Sequence, residues 1–137
     1  MNRQYSEDKG DSPMARILVI DDDVAIGTIA KRLLELNDHM VDTAENGAAA
    51  LKLAGRKQYD LVITDVIMPE QDGIGILAQL KELHPHIRII LTTGGGTNFS
   101  LSDLLKISRF MKADRGLAKP LDFEKLLETV REVLASV

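Results

Sequence analysis

The chain has 137 residues, enough for one domain of ordinary size and too few for two. Its 45% hydrophobic content can fill a core, and zero cysteines exclude thiolate nucleophiles, zinc–thiolate centres and disulfide frameworks. A formal charge of −4 and 4% aromatics with no Trp argue against direct nucleic-acid binding, and no apolar run approaches the ~18 residues of a membrane span, so a soluble, cytoplasmic domain with no membrane contact is expected.

Residues 1–14 are polar and without periodicity, and read as a flexible tail or an expression remnant; Met14 could be the natural start, and residues 15–137 form the domain. Ile17-Leu18-Val19-Ile20 is a β-branched apolar run ending at Asp21-Asp22-Asp23, the pattern of a strand buried on both faces. Ile26, Ile29, Ala30, Leu33 and Leu34 recur at helical spacing and predict an amphipathic helix closing near Asn37. His39 to Ala44 reads as a more polar edge strand, and Ala48 to Ala54 as a small helix stopped by Gly55. Leu61 to Asp65 is the next buried strand, followed by Pro69 and the turn Asp72-Gly73. Ile76, Leu77, Leu80 and Leu83 mark a helix ended by His84-Pro85, and Ile87 to Thr93 a fourth strand ended by Gly94-Gly95-Gly96. Leu101, Leu104, Leu105 and Met111 mark a further helix, with Ser100 and Asp103 spaced as a capping box. Leu117-Ala118 is the heart of a short fifth strand before Lys119-Pro120, and Phe123, Leu126, Leu127, Val130 and Leu134 complete a last helix.

Five βα units in series require parallel strands, because each crossover helix returns the chain to the same end of the sheet. Burial of the inner strands on both faces places helices on both sides, which gives an α/β, doubly wound sheet. In such sheets the functional site lies beyond the carboxyl ends of the strands.

The strand ends carry Asp21-Asp22-Asp23, Asp65, Thr92-Thr93 and Lys119. If the first, third, fourth and fifth strand ends are neighbours, acids, a hydroxyl and an amine share one pocket; periodicity alone does not fix that order. Carboxylates about 4 Å apart repel by roughly 4 kcal/mol at an effective dielectric near 20, so such a cluster must hold protons, a cation or an ammonium. Oxygen-only ligands favour a hard ion such as Mg²⁺. The plainer reading of consecutive acids before a helix is N-capping, with Asp23 the one expected to serve only as a cap. Asp65 alone would be a turn residue, Lys119 a solvated lysine and the glycine run a turn. Pro69 and Gly73 make the loop after Asp65 rigid, and a lysine held between a strand end and a proline can point across the pocket as a compact charge.

In these segments, ILVIDDD, DLVITDVIMPEQDG, RIILTTGG and LAKP, the chain resembles the receiver domain of two-component response regulators, over roughly residues 15 to 136. The resemblance implies a flavodoxin-like fold, a five-stranded parallel sheet of order 2-1-3-4-5. It also implies that Asp65 accepts a phosphoryl group from a sensor histidine kinase or histidine phosphotransfer protein. Asp21, Asp22, Asp65 and the main-chain oxygen of Ile67 would hold Mg²⁺. Lys119, Thr93 and the small Gly94 would contact the phosphoryl group. Such a domain is not an enzyme in the usual sense, although it assists its own phosphorylation and dephosphorylation. It switches a protein-interaction surface built from the last two helices and the fifth strand, which contacts an effector or fused output domain and supports a monomer or weak dimer. No output domain follows in this sequence, so a stand-alone receiver and a piece of a longer regulator are both open.

Three positions depart from the family's pattern. Gly116 stands three residues before Lys119, where relatives carry a switch aromatic. Ile67 and Gly95 stand two residues beyond Asp65 and Thr93, where relatives carry polar side chains that position a hydrolytic water. Two rival readings are a docking module that is never phosphorylated and a haloacid-dehalogenase-type phosphatase opening on Asp21-x-Asp23. The phosphatase needs a further acidic pair after its lysine, and the first acids to follow, Asp122 and Glu124, lie inside a helix start.

Overall fold

The computed structural model describes residues 14–65, 73–93 and 113–135. These segments hold five strands and four helices: β1 Arg16–Ile20, α1 Val24–Leu36, β2 Met40–Ala44, α2 Gly47–Ala54, β3 Leu61–Asp65, α3 Gly73–Leu83, β4 Arg88–Thr93, β5 Arg115–Ala118 and α4 Phe123–Ala135. The helix expected around Leu101 to Met111 lies outside the described residues. The strands form one parallel sheet in the order β2-β1-β3-β4-β5, as the resemblance implies.

Alternation along the inner strands builds two cores. Leu18, Ile20, Val62, Ile89 and Leu91 point to one face and pack with Ala50 and Ala54 of α2 and Ile76, Leu77 and Leu80 of α3. Ile17, Val19, Leu61, Ile63 and Ile90 point to the other and pack with Ala30 and Leu34 of α1 and Leu126, Val130 and Val133 of α4. That is why β1 and β3 read as continuous apolar runs while β2, at the sheet edge, keeps Met40 and Thr43 exposed.

Helix ends follow local chemistry. Asn46 caps α2 by accepting from the Ala49 N–H at 2.8 Å, and the Asp122 carboxylate caps α4 by accepting from the Glu124 and Lys125 N–H groups at 3.0 and 3.2 Å. α1 ends in a Schellman motif: the Asp38 N–H donates to the Glu35 carbonyl at 3.0 Å and the His39 N–H to the Leu34 carbonyl at 3.2 Å. Asp38 takes the left-handed position there with φ 70°, so the chain turns without the usual glycine.

Two apolar positions differ from the expected stripes. Ile29 and Leu83 are about half exposed, at 45% and 47%. α1 instead buries Gly27, Ala30 and Leu34, because its glycine face lies against Thr43 of β2 and leaves Ile29 at the rim. Leu83 is the last residue of α3, and His84 after it is buried instead.

Candidate functional site

At the carboxyl edge of the sheet the three consecutive aspartates take three different positions. Asp21 follows the last residue of β1 and is buried; its Oδ1 accepts from the Asp23 N–H at 2.8 Å. Asp22 is exposed. Asp23 is the N-cap of α1, its Oδ1 accepting from the Ala25 N–H at 3.0 Å and the Ile26 N–H at 3.4 Å, the capping role that its place before a helix predicts.

Asp65 ends β3 and is buried at 6% exposure. Because β1 and β3 are direct neighbours, ligand atoms of Asp21, Asp22 and Asp65 come within 4.8 Å of one another. Lys119, just past β5, reaches over the end of β4 into this cluster. Its Nζ donates to Asp21 Oδ2 at 2.7 Å and to Asp65 Oδ2 at 3.0 Å. Burial pulls the Lys119 ammonium down, but hydrogen bonds to Asp21 and Asp65 and their charges outweigh it, so its pKa lies above the ordinary lysine value.

The hydroxyl strand ends close the same edge. Thr92 is the Cα partner of Asp65 and is buried. Thr93 is the last residue of β4 and pairs with Ala118, the residue directly before Lys119, so its backbone sits beside the cluster. Ile67, Gly94 and Gly95 lie outside the described residues. Gly116 lies within β5 opposite Leu91, so no ring stands at that position.

Three carboxylates and one ammonium leave a formal charge of −2 on an all-oxygen donor set at one rim. That chemistry fits a hard divalent cation, with Mg²⁺ favoured by few protein ligands. Asp22 is the exposed member, open toward solvent, whereas both oxygens of Asp21 already have protein partners. The phosphatase reading fails at this point. Asp122 is spent on capping α4, and neither it nor Glu124 belongs to the cluster of acids that could hold a metal among the described residues.

Thr64 was not singled out by sequence reasoning. It is buried at 2% exposure, and its Oγ1 donates to the Asp65 main-chain oxygen at 3.2 Å. The available signal was a hydroxyl inside an otherwise apolar strand, Leu61-Val62-Ile63.

A parallel, doubly wound sheet whose carboxyl edge gathers an acidic cluster under one lysine defines an α/β module with a candidate cation site at its strand ends. Residues 17–131 match the family model described as response regulator receiver domain, and the chain belongs to that family, which supplies the receiver modules of two-component and phosphorelay signalling.

The chain is 39% identical over 119 residues to the transcriptional regulatory protein ZraR of Klebsiella oxytoca, an alignment that takes in 87% of this chain and 26% of that protein. It therefore spans about a quarter of the length of that relative. It is 29% identical to sporulation initiation phosphotransferase F of Bacillus subtilis, over 87% of this chain and 93% of that one. Among solved structures, a CheY-like receiver domain protein from Methanospirillum hungatei superposes with a TM-score of 0.77 at 29% identity, covering 87% of this chain and 92% of that one. A response regulator protein from Burkholderia pseudomallei, solved with a phosphorylated aspartic acid and a calcium ion, superposes with a TM-score of 0.71 at 29% identity, covering 89% and 75% of the two chains. Among the described residues no helix is long and apolar enough to cross a membrane.

Proposed function

We propose that this domain accepts a phosphoryl group on Asp65 from a phosphohistidine donor, a sensor histidine kinase or a histidine phosphotransfer protein, and so switches a protein-contact surface. The observation that carries the reading is the Lys119 ammonium bridging Asp21 and Asp65 at 2.7 and 3.0 Å within a cluster of three carboxylates. An Asp65 carboxylate oxygen attacks phosphorus, the P–N bond of the donor breaks, and the imidazole leaves with that electron pair. Lys119 is already aimed at Asp65 and offsets negative charge on the transferring oxygens. Asp21 holds that lysine in place. Asp22 and Asp65, with Asp21 behind them, would hold Mg²⁺, together with the main-chain oxygen of Ile67. The bound ion would supply charge neutralisation during the transfer.

Thr93, at the end of β4, would bond the phosphoryl group after transfer, with Gly94 leaving room for it. The partner downstream is an effector protein or an output domain in the same polypeptide. With Gly116 in place of an aromatic, the signal passes through Thr93 and the segment after it rather than through a swinging ring.

Labelling with a small-molecule or phosphohistidine donor tests this reading. Wild type should gain a hydroxylamine-labile phosphate, and Asp65→Asn should gain none while folding normally. Asp22→Ala should weaken Mg²⁺ binding by more than about tenfold. Full labelling of Asp65→Asn at the wild-type rate would refute the acceptor, and a fold that takes no phosphate at all would favour a docking module.

A further inference from the structure

We infer that Thr64 is a positioning residue for Asp65, acting through the Asp65 main-chain carbonyl; this rests on the proposed role of Asp65 and deepens it. Thr64 sits in β3 with Ile20 of β1 and Leu91 of β4 as its Cα partners, both of them fully buried core residues. Valine has nearly the same shape and would bury no hydroxyl there. A hydroxyl taken out of water without a partner costs about 1–3 kcal/mol, so core packing alone favours valine at this place.

What the hydroxyl gains is its bond to the Asp65 carbonyl oxygen at 3.2 Å. The position of that bond matters. Pairing with β1 stops at Ile20–Thr64, while pairing with β4 continues one residue further, to Asp65–Thr92. Asp65, the last residue of β3, therefore has a strand partner in β4 and none in β1. The Thr64 hydroxyl supplies a side-chain restraint at that point, and it fixes the main chain from which the Asp65 carboxylate reaches Lys119 and the other two acids. Groups that orient a ligating residue without touching the ion commonly change metal affinity by an order of magnitude.

The test uses the full chain as wild type, Thr64→Val and Thr64→Ser, with Mg²⁺ affinity read by calorimetry and metal-free stability read by denaturant unfolding. Thr64→Val should be as stable as wild type or more so, yet bind Mg²⁺ about three- to tenfold more weakly, at the low end of what such outer groups contribute. Thr64→Ser keeps the hydroxyl and should restore the affinity. Equal Mg²⁺ affinity in Thr64→Val and wild type would overturn this assignment while leaving the role of Asp65 standing. Affinity lost together with metal-free stability, and not restored by serine, would show a packing residue instead. Wild type that neither binds Mg²⁺ nor takes a phosphoryl group would remove the proposed function, and this inference with it.

Discussion

Lys119 Nζ lies 3.0 Å from Asp65 Oδ2, although β4 separates the strands that carry the two residues. The lysine sits one residue past the end of β5, above the sheet edge rather than within it, so its four-carbon stem can cross the end of β4. Both side chains are nearly closed off from solvent, at 11% and 7% exposure, and the ammonium is what makes a second buried carboxylate, Asp21, tolerable beside the first.

Removing that ammonium should expose the cost of the acids. Lys119→Met leaves Asp21 and Asp65 facing each other uncompensated, and breaking a buried pair in this way costs about 3 kcal/mol or more. The loss should be largest without Mg²⁺ and smaller with Mg²⁺ present. Because the Lys119 pKa is raised in the fold, wild type holds this stabilisation at neutral pH, below the ordinary lysine range, and loses it as pH rises through the raised value. Urea unfolding of both proteins at neutral and at alkaline pH, with and without Mg²⁺, checks the pattern.

His39 makes stability fall on the acid side. It is buried, and its Nδ1 accepts from the Ala15 N–H at 3.2 Å, which requires the neutral ring. Burial lowers its pKa, and the nearby Asp38 only partly offsets this. A depressed histidine pKa contributes stability above the unfolded value near 6.5 and loses it as pH falls through that value toward the folded one. The fall in unfolding free energy between pH 7.5 and 5 should therefore be shallower in His39→Gln than in wild type.

Gly27 is a buried helix-interior glycine whose packing leaves room for a methyl group. A Cβ built there meets Thr43 Cγ2 at 3.8 Å, an ordinary contact. Gly27→Ala should stabilise the protein by about 0.5–1 kcal/mol, since alanine restricts the unfolded chain and favours the helix. Thermal and denaturant midpoints should both rise, with phosphoryl uptake unchanged.

The lifetime of the phosphorylated form follows from two side chains that cannot orient a water. Neither Ile67 nor Gly95 carries a hydrogen-bonding side chain, and a missing positioning contact costs a factor of about ten or more in rate. The acyl phosphate should persist for minutes to hours on an order-of-magnitude scale, and Ile67→Asn combined with Gly95→Glu should shorten it. A half-life of seconds in wild type, unmoved by the double replacement, would place rate control elsewhere in the loops.

The element order, the parallel sheet and its two-sided core were legible in the sequence because each rests on short-range patterning. The runs Ile17–Ile20 and Leu61–Ile63 have no polar alternation, so both faces must be covered. Asp65 at a strand end and Lys119 before Pro120 could be picked out in the same way, and so could the cap at Asp23.

Sequence could not separate Asp21 from Asp22, since adjacent identical residues carry the same local signal. Only the register of β1 against β3, and a lysine 98 positions away in the chain, decide that Asp21 is buried under the ammonium while Asp22 stays exposed. The exposure of Ile29 and the use of Gly27 as a packing face were equally hidden, because helix periodicity gives a stripe but not its rotation against the neighbouring strand. Local pattern fixes what each segment becomes; which side chains meet is set by how the sheet stacks segments distant in sequence, and contacts of that kind leave no mark on the residues nearby.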